Sequence, residues 1–208
     1  MLDLNKVVEH FLEIAVSDCE DEGARIDDPV LSALDDPNLS AEAKARAIIK
    51  WLHDYRVLRG IPKGDHDGLT RGILNFADNR GGRGNPISEA EILNQFNILH
   101  GQVASGVSLA KSGRPRSLPS LTSKVLWCFY PHAIPIYDSN ALRALHVIAR
   151  LMDWPAPTCD SAYGRFVEVW FRAYRHVERT IPDDAYRFKV RVLDRVLWII
   201  GQPEFRRD

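Results

Sequence analysis

One lysine and one aspartate have the residue types and the spacing that catalysis would need. Both lie in the stretch SLPSLTSKVLWCFYPHAIPIYDSNALRAL, residues 117–145, in otherwise apolar surroundings. Lys124 falls near the start of a predicted helix, where the positive helix dipole and an apolar setting disfavour the ammonium form. A neutral lysine amine is the nucleophile of Schiff-base chemistry. Asp138 precedes the next predicted helix and would supply a carboxylate beside the amine.

The chain between the two residues is long enough for their side chains to meet. Pro119 suits the first turn of the Lys124 helix, which we expect to end near Pro131. The chain rises about 10 Å from Lys124 to Tyr130 at 1.5 Å per helical residue, and seven extended residues return up to about 23 Å. The segment YPHAIPIYD holds two prolines and is predicted to be extended. Simpler interpretations remain, in which Asp138 only caps a helix and Lys124 only reaches toward water.

The elements that would position this pair are predicted to be helices. Apolar residues recur at helical spacing over residues 3–17, and cap signals bound further helices at 40–60 and from Ser88 to about residue 103. Two more helices are expected at 160–179 and 184–200. No stretch alternates convincingly as a strand would. We therefore predict an all-α fold and one helical domain over residues 1–208, whose half 105–202 carries the catalytic motif.

Charge is distributed unevenly along the chain. The formal net charge is −1, yet residues 1–40 hold eleven Asp and Glu against Lys6 and Arg25. The rest of the chain is therefore net positive, which leaves room for a nucleic-acid surface. The run DCEDEGARIDD, residues 18–28, is interpreted as a solvated acidic loop within an acidic N-terminal arm, residues 1–40.

Two basic segments are candidates for contact with nucleic acid. LAKSGRPRSLPS, residues 109–120, reads as a linker with the cations Lys111, Arg114 and Arg116 and leads directly into the lysine motif. NRGGRGNP, residues 79–86, lacks the Lys-Ser/Thr ending of a phosphate-binding loop. We interpret it as a plain connection, with nucleic-acid contact as the less favoured alternative.

The remaining composition predicts neither a metal site nor a membrane anchor. Cys19, Cys128 and Cys159 form no CxxC pair, and the histidines do not fall at ligand spacing with them, so we expect no disulfide framework, no metal and no cofactor. No apolar run approaches the roughly 18 residues of a membrane span. A cytoplasmic location is the expectation, and the oligomeric state is left open.

The motif around the two residues resembles a known family. LPSLTSK, followed by IPIYD, is similar to the signature of the helix-hairpin-helix DNA glycosylases, in particular their 8-oxoguanine glycosylase branch. The C-terminal segments FVEVWFRAYRHV and RVLDRVLWIIGQ also resemble that branch, and the resemblance runs from about residue 117 to residue 202. It implies a multi-helix glycosylase-like fold, with Lys124 as catalytic lysine and Asp138 as catalytic aspartate.

The resemblance also implies a substrate and further site residues. Ser120 and Thr122 stand where the family has two hairpin glycines that let the backbone approach a DNA phosphate, so these positions are implied to contact DNA. The implied activity is removal of a damaged or modified base from DNA, followed by strand cleavage as a lyase. The base would be flipped into a pocket. Trp127, Phe129, Tyr137 and Trp198 are candidates to line that pocket, with core packing as the alternative for each.

Two other functions stay open. One is a non-catalytic helical module that keeps the glycosylase fold and binds nucleic acid or a protein. The other is a hydrolase of a free nucleoside or nucleotide derivative.

Overall fold

The computed structural model of the chain describes residues 2–79, 88–110, 113 and 116–203. Every regular element within these ranges is helical, which confirms the all-α prediction. The chain divides into two compact units, one formed by Gly23–Tyr130 and the other by Met1–Glu22 together with Pro131–Asp208. The glycosylase-like fold and the single domain stay predictions.

The α-helices have the following bounds: α1 Leu4–Glu22, α2 Asp28–Asp35, α3 Ala41–Asp54, α4 His66–Asn79, α5 Glu89–Ser105, α6 Pro119–Phe129, α7 Ser139–Leu151, α8 Ala162–Val177 and α9 Lys189–Ile200. Short 3₁₀ turns at Val57–Gly60 and Lys63–Asp65 connect α3 to α4, and one π-helical turn, Gly23–Asp27, connects α1 to α2.

The unit Gly23–Tyr130 packs α2 to α6 around an apolar core. Ser40 caps α3 by accepting from the Ala43 N–H, and Ser88 with Glu91 forms a reciprocal capping box at the start of α5. Helices α4 and α5 pack closely because Gly68 faces the backbone of Gly106, the residue that follows α5; a Cβ at Gly68 would lie 1.7 Å from the Gly106 carbonyl oxygen. Helix α6 packs on α3 and α5. These contacts fix the helix that carries Lys124.

The other unit packs α1 and α7 to α9 together, with α9 touching both α1 and α7. Gly201, at the end of α9, lies against the start of α7, where a Cβ would be 1.9 Å from the Asn140 carbonyl oxygen. Arg143 of α7 donates from Nε to the Gly201 carbonyl at 3.2 Å. The start of α7, which follows Asp138, is therefore anchored on the end of α9.

The prediction of a solvated acidic loop at residues 18–28 is wrong. Helix α1 continues to Glu22 and the π-helical turn follows. In the unit Gly23–Tyr130, Asp27 is fully buried and accepts from Trp51 Nε1 and from the Tyr55 hydroxyl, each at 2.9 Å. In the other unit Glu22 pairs with both Arg191 and Arg195 of α9. Much of the acidic charge is therefore used in hydrogen bonds and ion pairs rather than left to solvent.

Several other helix boundaries differ from the predicted ones. The helix predicted at 40–60 ends at Asp54, and the helix predicted from 184 begins five residues later at Lys189. Helices α2 and α4 were not predicted. In the segment predicted to be extended, residues 131–133 form a turn before residues 134–138 run without regular structure. Among the described residues, no helix combines the length and apolarity required to span a bilayer.

Candidate active site

Lys124 lies in the second turn of α6, a helix that is buried along most of its length. Pro119 occupies the first helical position as predicted, and residues 121–129 are all buried. The Lys124 side chain is only 6% exposed, and its Nζ donates to the Ser120 hydroxyl at 3.2 Å. Burial largely removes the amine from water, and the Ser120 hydroxyl is one of its contacts.

Asp138 is the N-cap of α7, as predicted. Its backbone is extended, with φ −135° and ψ 148°, and its Oδ1 accepts from the Asn140 N–H at 2.7 Å. The residue is half-buried. The second carboxylate oxygen is not needed for the cap contact with Asn140. Capping and a role in charge stabilisation are therefore compatible for this carboxylate.

The two candidate catalytic residues belong to different units. Lys124 lies in Gly23–Tyr130, and Asp138 lies in the unit that includes Pro131–Asp208. Their meeting in one site stays a prediction.

The segment that carries Asp138 is braced by a residue that the sequence interpretation missed. Asp194, in the middle of α9, is 4% exposed; its Oδ2 accepts from the Ile136 N–H at 2.9 Å, and its Oδ1 accepts from Trp170 Nε1 at 2.7 Å. Tyr163 donates from its hydroxyl to the Pro135 carbonyl at 3.1 Å. Burial, reinforced by the negative charge of Asp194, raises the pKa of Tyr163 well above its usual value. The sequence offered one sign of this buried carboxylate, because Asp194 stands in the largely apolar segment VRVLDRVLWII, residues 190–200.

Ser120 and Thr122 both lie within α6. The Thr122 side chain is fully buried, and the Thr122 N–H donates to the Leu118 carbonyl at 2.9 Å. Ser120 is half-buried, and its hydroxyl accepts from Lys124. The Thr122 donors therefore do not face a phosphate in this conformation. DNA contact at Ser120 and Thr122 stays a prediction.

Arg116 ties the end of the basic linker to the 3₁₀ turns. Its Nε donates to the Ser108 carbonyl at 3.1 Å and its Nη1 to the Gly60 carbonyl at 2.9 Å. Asp65 nearby accepts from the Ser108 hydroxyl and the Ser108 N–H, and these bonds lower the pKa of its carboxyl, with a smaller contribution from the Arg116 charge. Arg116 thus has a structural role beside its predicted phosphate contact.

The other basic candidates lie outside the described residues. Lys111 and Arg114 of the linker, and all but the first residue of the connection at 79–86, fall there.

A cavity of about 230 Å³ lies between α7 and α8, in the unit of Asp138. Tyr137, which directly precedes Asp138, forms part of its wall, and the Tyr137 ring meets the Phe166 ring edge-on at 5.1 Å. His146 and Arg165 add polar groups to a lining that is otherwise apolar.

The other aromatic candidates for a base pocket are placed differently. Trp127 is fully buried and stacks on Trp51 with ring centroids 5.6 Å apart, and buried Phe129 packs against Phe76. Trp198 is half-buried and carries the Arg195 guanidinium 5.0 Å from its ring centroid. The core-packing alternative thus describes Trp127 and Phe129 in this structure.

Within the described residues, no three side chains of His, Cys, Asp or Glu cluster as metal ligands would. Comparisons of the chain with protein-family models, curated proteins and solved structures find no match. The resemblance to the glycosylases therefore rests on the sequence segments alone and stays a prediction.

Proposed function

We propose that the protein is a DNA glycosylase with lyase activity that acts on a damaged or modified base. The observation that carries the proposal is Lys124, a lysine 6% exposed in the second turn of a buried helix. Burying an amine costs stability, and ionisable groups that bear such a cost are concentrated at functional sites, where they serve a purpose. The resemblance of LPSLTSK and IPIYD to the glycosylase signature supplies that purpose.

The chemistry assigns one role to each residue. The neutral Lys124 amine attacks the anomeric carbon of the sugar, and a new C–N bond forms as the glycosidic bond breaks and the base leaves with the bonding electrons and takes up a proton. Asp138 stabilises the positive charge that develops on the sugar. Loss of the proton from the attached nitrogen and opening of the sugar ring give a Schiff base, from which β-elimination cleaves the strand.

Borohydride trapping tests this proposal directly. An oligonucleotide with an abasic site should give a covalent adduct with the wild-type protein and none with Lys124→Gln. Lys44→Gln is the matched control, because Lys44 lies on α3 of the same unit. An equal yield of adduct from Lys124→Gln would place the nucleophile elsewhere.

A non-catalytic helical module is the second candidate. The engagement of the Thr122 N–H and the burial of its side chain favour it, because a hairpin so arranged presents fewer donors to a phosphate. This candidate predicts that the wild-type protein traps no adduct on any abasic or base-damaged oligonucleotide.

The salt dependence of binding tests the DNA contacts apart from the chemistry. Neutralising Lys111, Arg114 and Arg116 together should reduce the slope of log affinity against log salt by about 0.9 for each lost phosphate contact on duplex DNA. Arg46→Gln is the control, since Arg46 is an exposed arginine paired with Glu42. An unchanged slope in the triple variant would make the segment a plain linker, and wild-type protein without affinity for DNA would favour the free-nucleoside alternative.

A further inference from the structure

The cavity of about 230 Å³ between α7 and α8 has an apolar floor and a polar edge. Leu145, Phe166 and Val169 form the buried part of its lining, and each is at most 6% exposed. His146 and Arg165 also line the cavity, and both residues are exposed. A mostly apolar concave space with a few polar groups is the usual form of a small-molecule site.

The volume of the cavity limits the size of a ligand. An apolar cavity of about 150 Å³ can hold a benzene ring, whereas pockets for drug-sized ligands start at about 300 Å³. A cavity between these two sizes fits one ring with a short polar arm. The Tyr137 and Phe166 rings, whose centroids lie 5.1 Å apart, both line this space and offer edge or face contacts to an aromatic ring.

The charge at the polar edge favours a negative group on the ligand. Arg165 is positively charged, and none of the described residues that line the cavity is acidic. Its Nη1 donates to the carbonyls of Cys159 and Asp160, which orients the guanidinium. Within the described part of the chain, its Nε and Nη2 have no acceptor. Arginine binds a carboxylate through two parallel N–H donors of this kind.

The acidic side chain next to Arg165 on α8 is engaged by other partners. Glu168, three residues further along, pairs with Arg172 and accepts from the Thr158 N–H at 2.8 Å. The bond to Thr158 also holds the segment next to Pro157, which forms part of the cavity wall. The cavity is therefore formed before a ligand arrives, which reduces the entropy lost on binding.

We propose that this cavity is a binding site for a small aromatic carboxylate, with the ring on the apolar floor and the carboxylate on Arg165. The site goes beyond the proposed function, because it requires neither Lys124 nor DNA.

Titration of the isotope-labelled full chain with phenylacetate tests the site. We expect saturable shifts of the backbone amide signals of α7 and α8, with a dissociation constant on the order of 1 mM or tighter for a ligand of this size. Phenylacetamide has nearly the same shape without the charge, and it should bind on the order of 10-fold more weakly. Acetate, which lacks the ring, should give no saturable shift of these signals.

Two variants and one control assign the binding to the cavity. Arg165→Gln should weaken phenylacetate binding on the order of 10-fold and leave phenylacetamide binding unchanged. Ala149→Phe places a ring in the cavity and should abolish binding of both probes. Arg165→Gln changes an exposed side chain, so it decides the question even where Ala149→Phe does not fold. The control is Arg175→Gln, at an exposed position of α8, which should bind phenylacetate as the wild type does.

Several results would overturn the inference. The cavity is not a carboxylate site if phenylacetate gives no saturable shift at about 10 mM. Equal affinity for phenylacetate and phenylacetamide, or equal phenylacetate affinity in wild type and Arg165→Gln, removes the role assigned to the charge. An equal loss in Arg175→Gln shows a general effect of surface charge. Binding of uracil or adenine in place of phenylacetate would assign the cavity to the flipped base of the proposed glycosylase. A failure of borohydride trapping refutes the proposed function and leaves this site standing.

Discussion

Removing the carboxylate of Asp194 should destabilise the protein strongly, because two buried donors depend on it. Asp194→Ala leaves the Ile136 N–H and the Trp170 indole N–H without their acceptor in a site that is 4% exposed. An unsatisfied buried donor costs about 1–3 kcal/mol, so the variant should lose about 2–6 kcal/mol of unfolding free energy. Asp194→Asn keeps one oxygen and should lose about half as much.

A double-mutant cycle separates this mechanism from a general loss of packing. Trp170→Phe removes the indole donor, so Asp194→Ala should cost less in that background than in the wild type, with a coupling of about 1–3 kcal/mol. Unfolding in urea measures all four proteins, and Asp184→Ala, at an exposed site before α9, is the control. Costs that add without coupling would refute the hydrogen-bond explanation.

The same variant should loosen the segment that carries Asp138. The Ile136 N–H loses its acceptor, so its exchange with deuterium should accelerate in Asp194→Ala more than that of the helical amides of α8. Unchanged protection of Ile136 would show that another partner holds this segment.

Three further predictions concern single residues. Asp138→Asn should keep the melting temperature, because asparagine caps a helix about as well, while base release falls on the order of 10- to 1000-fold; undiminished release would leave Asp138 as a cap only. Thr122→Val should be neutral or stabilise by about 1 kcal/mol in urea unfolding, because the Thr122 hydroxyl is fully buried without a hydrogen-bond partner; a clear loss would contradict this. Burial lowers the pKa of the His100 imidazole in the folded protein. Below about pH 6.5 the unfolded chain therefore binds more protons than the folded protein, and the free energy of unfolding should decrease as the pH is lowered. His100→Gln should flatten this acid limb by less than the full one-proton slope, because the imidazole is only half-buried.

Local end signals predicted the helices that begin at a side-chain cap. Ser40, Ser88 and Asp138 each accept from a backbone N–H within the first turn, and each contact depends on residues two or three apart in sequence. Such short-range hydrogen bonds are readable from residue types alone. Helix α4 was missed because it contains Gly68 and Gly72, which lower helix propensity. Gly72 packs closely on the last turn of α5 and Gly68 on the residue that follows it, and packing of this kind does not show in the sequence.

The prediction of a solvated acidic loop at residues 18–28 is wrong for a related reason. Asp27 looked like one charge in a solvated run, yet it is buried because Trp51 and Tyr55, more than twenty residues away, donate to it. Glu22 finds Arg191 at a separation of 169 residues. Partners this distant are set by the tertiary fold, so a count of charges along the chain does not locate them.

The resemblance to the glycosylases places Ser120 and Thr122 where that family has two glycines. Glycines there would leave the backbone open to a phosphate, whereas the Ser120 hydroxyl accepts from Lys124 and the Thr122 side chain is buried. DNA contact at these two positions stays a prediction. If the protein acts on DNA, other basic groups must provide more of its affinity, and the linker at residues 109–120 is the segment on which the salt measurement is most informative.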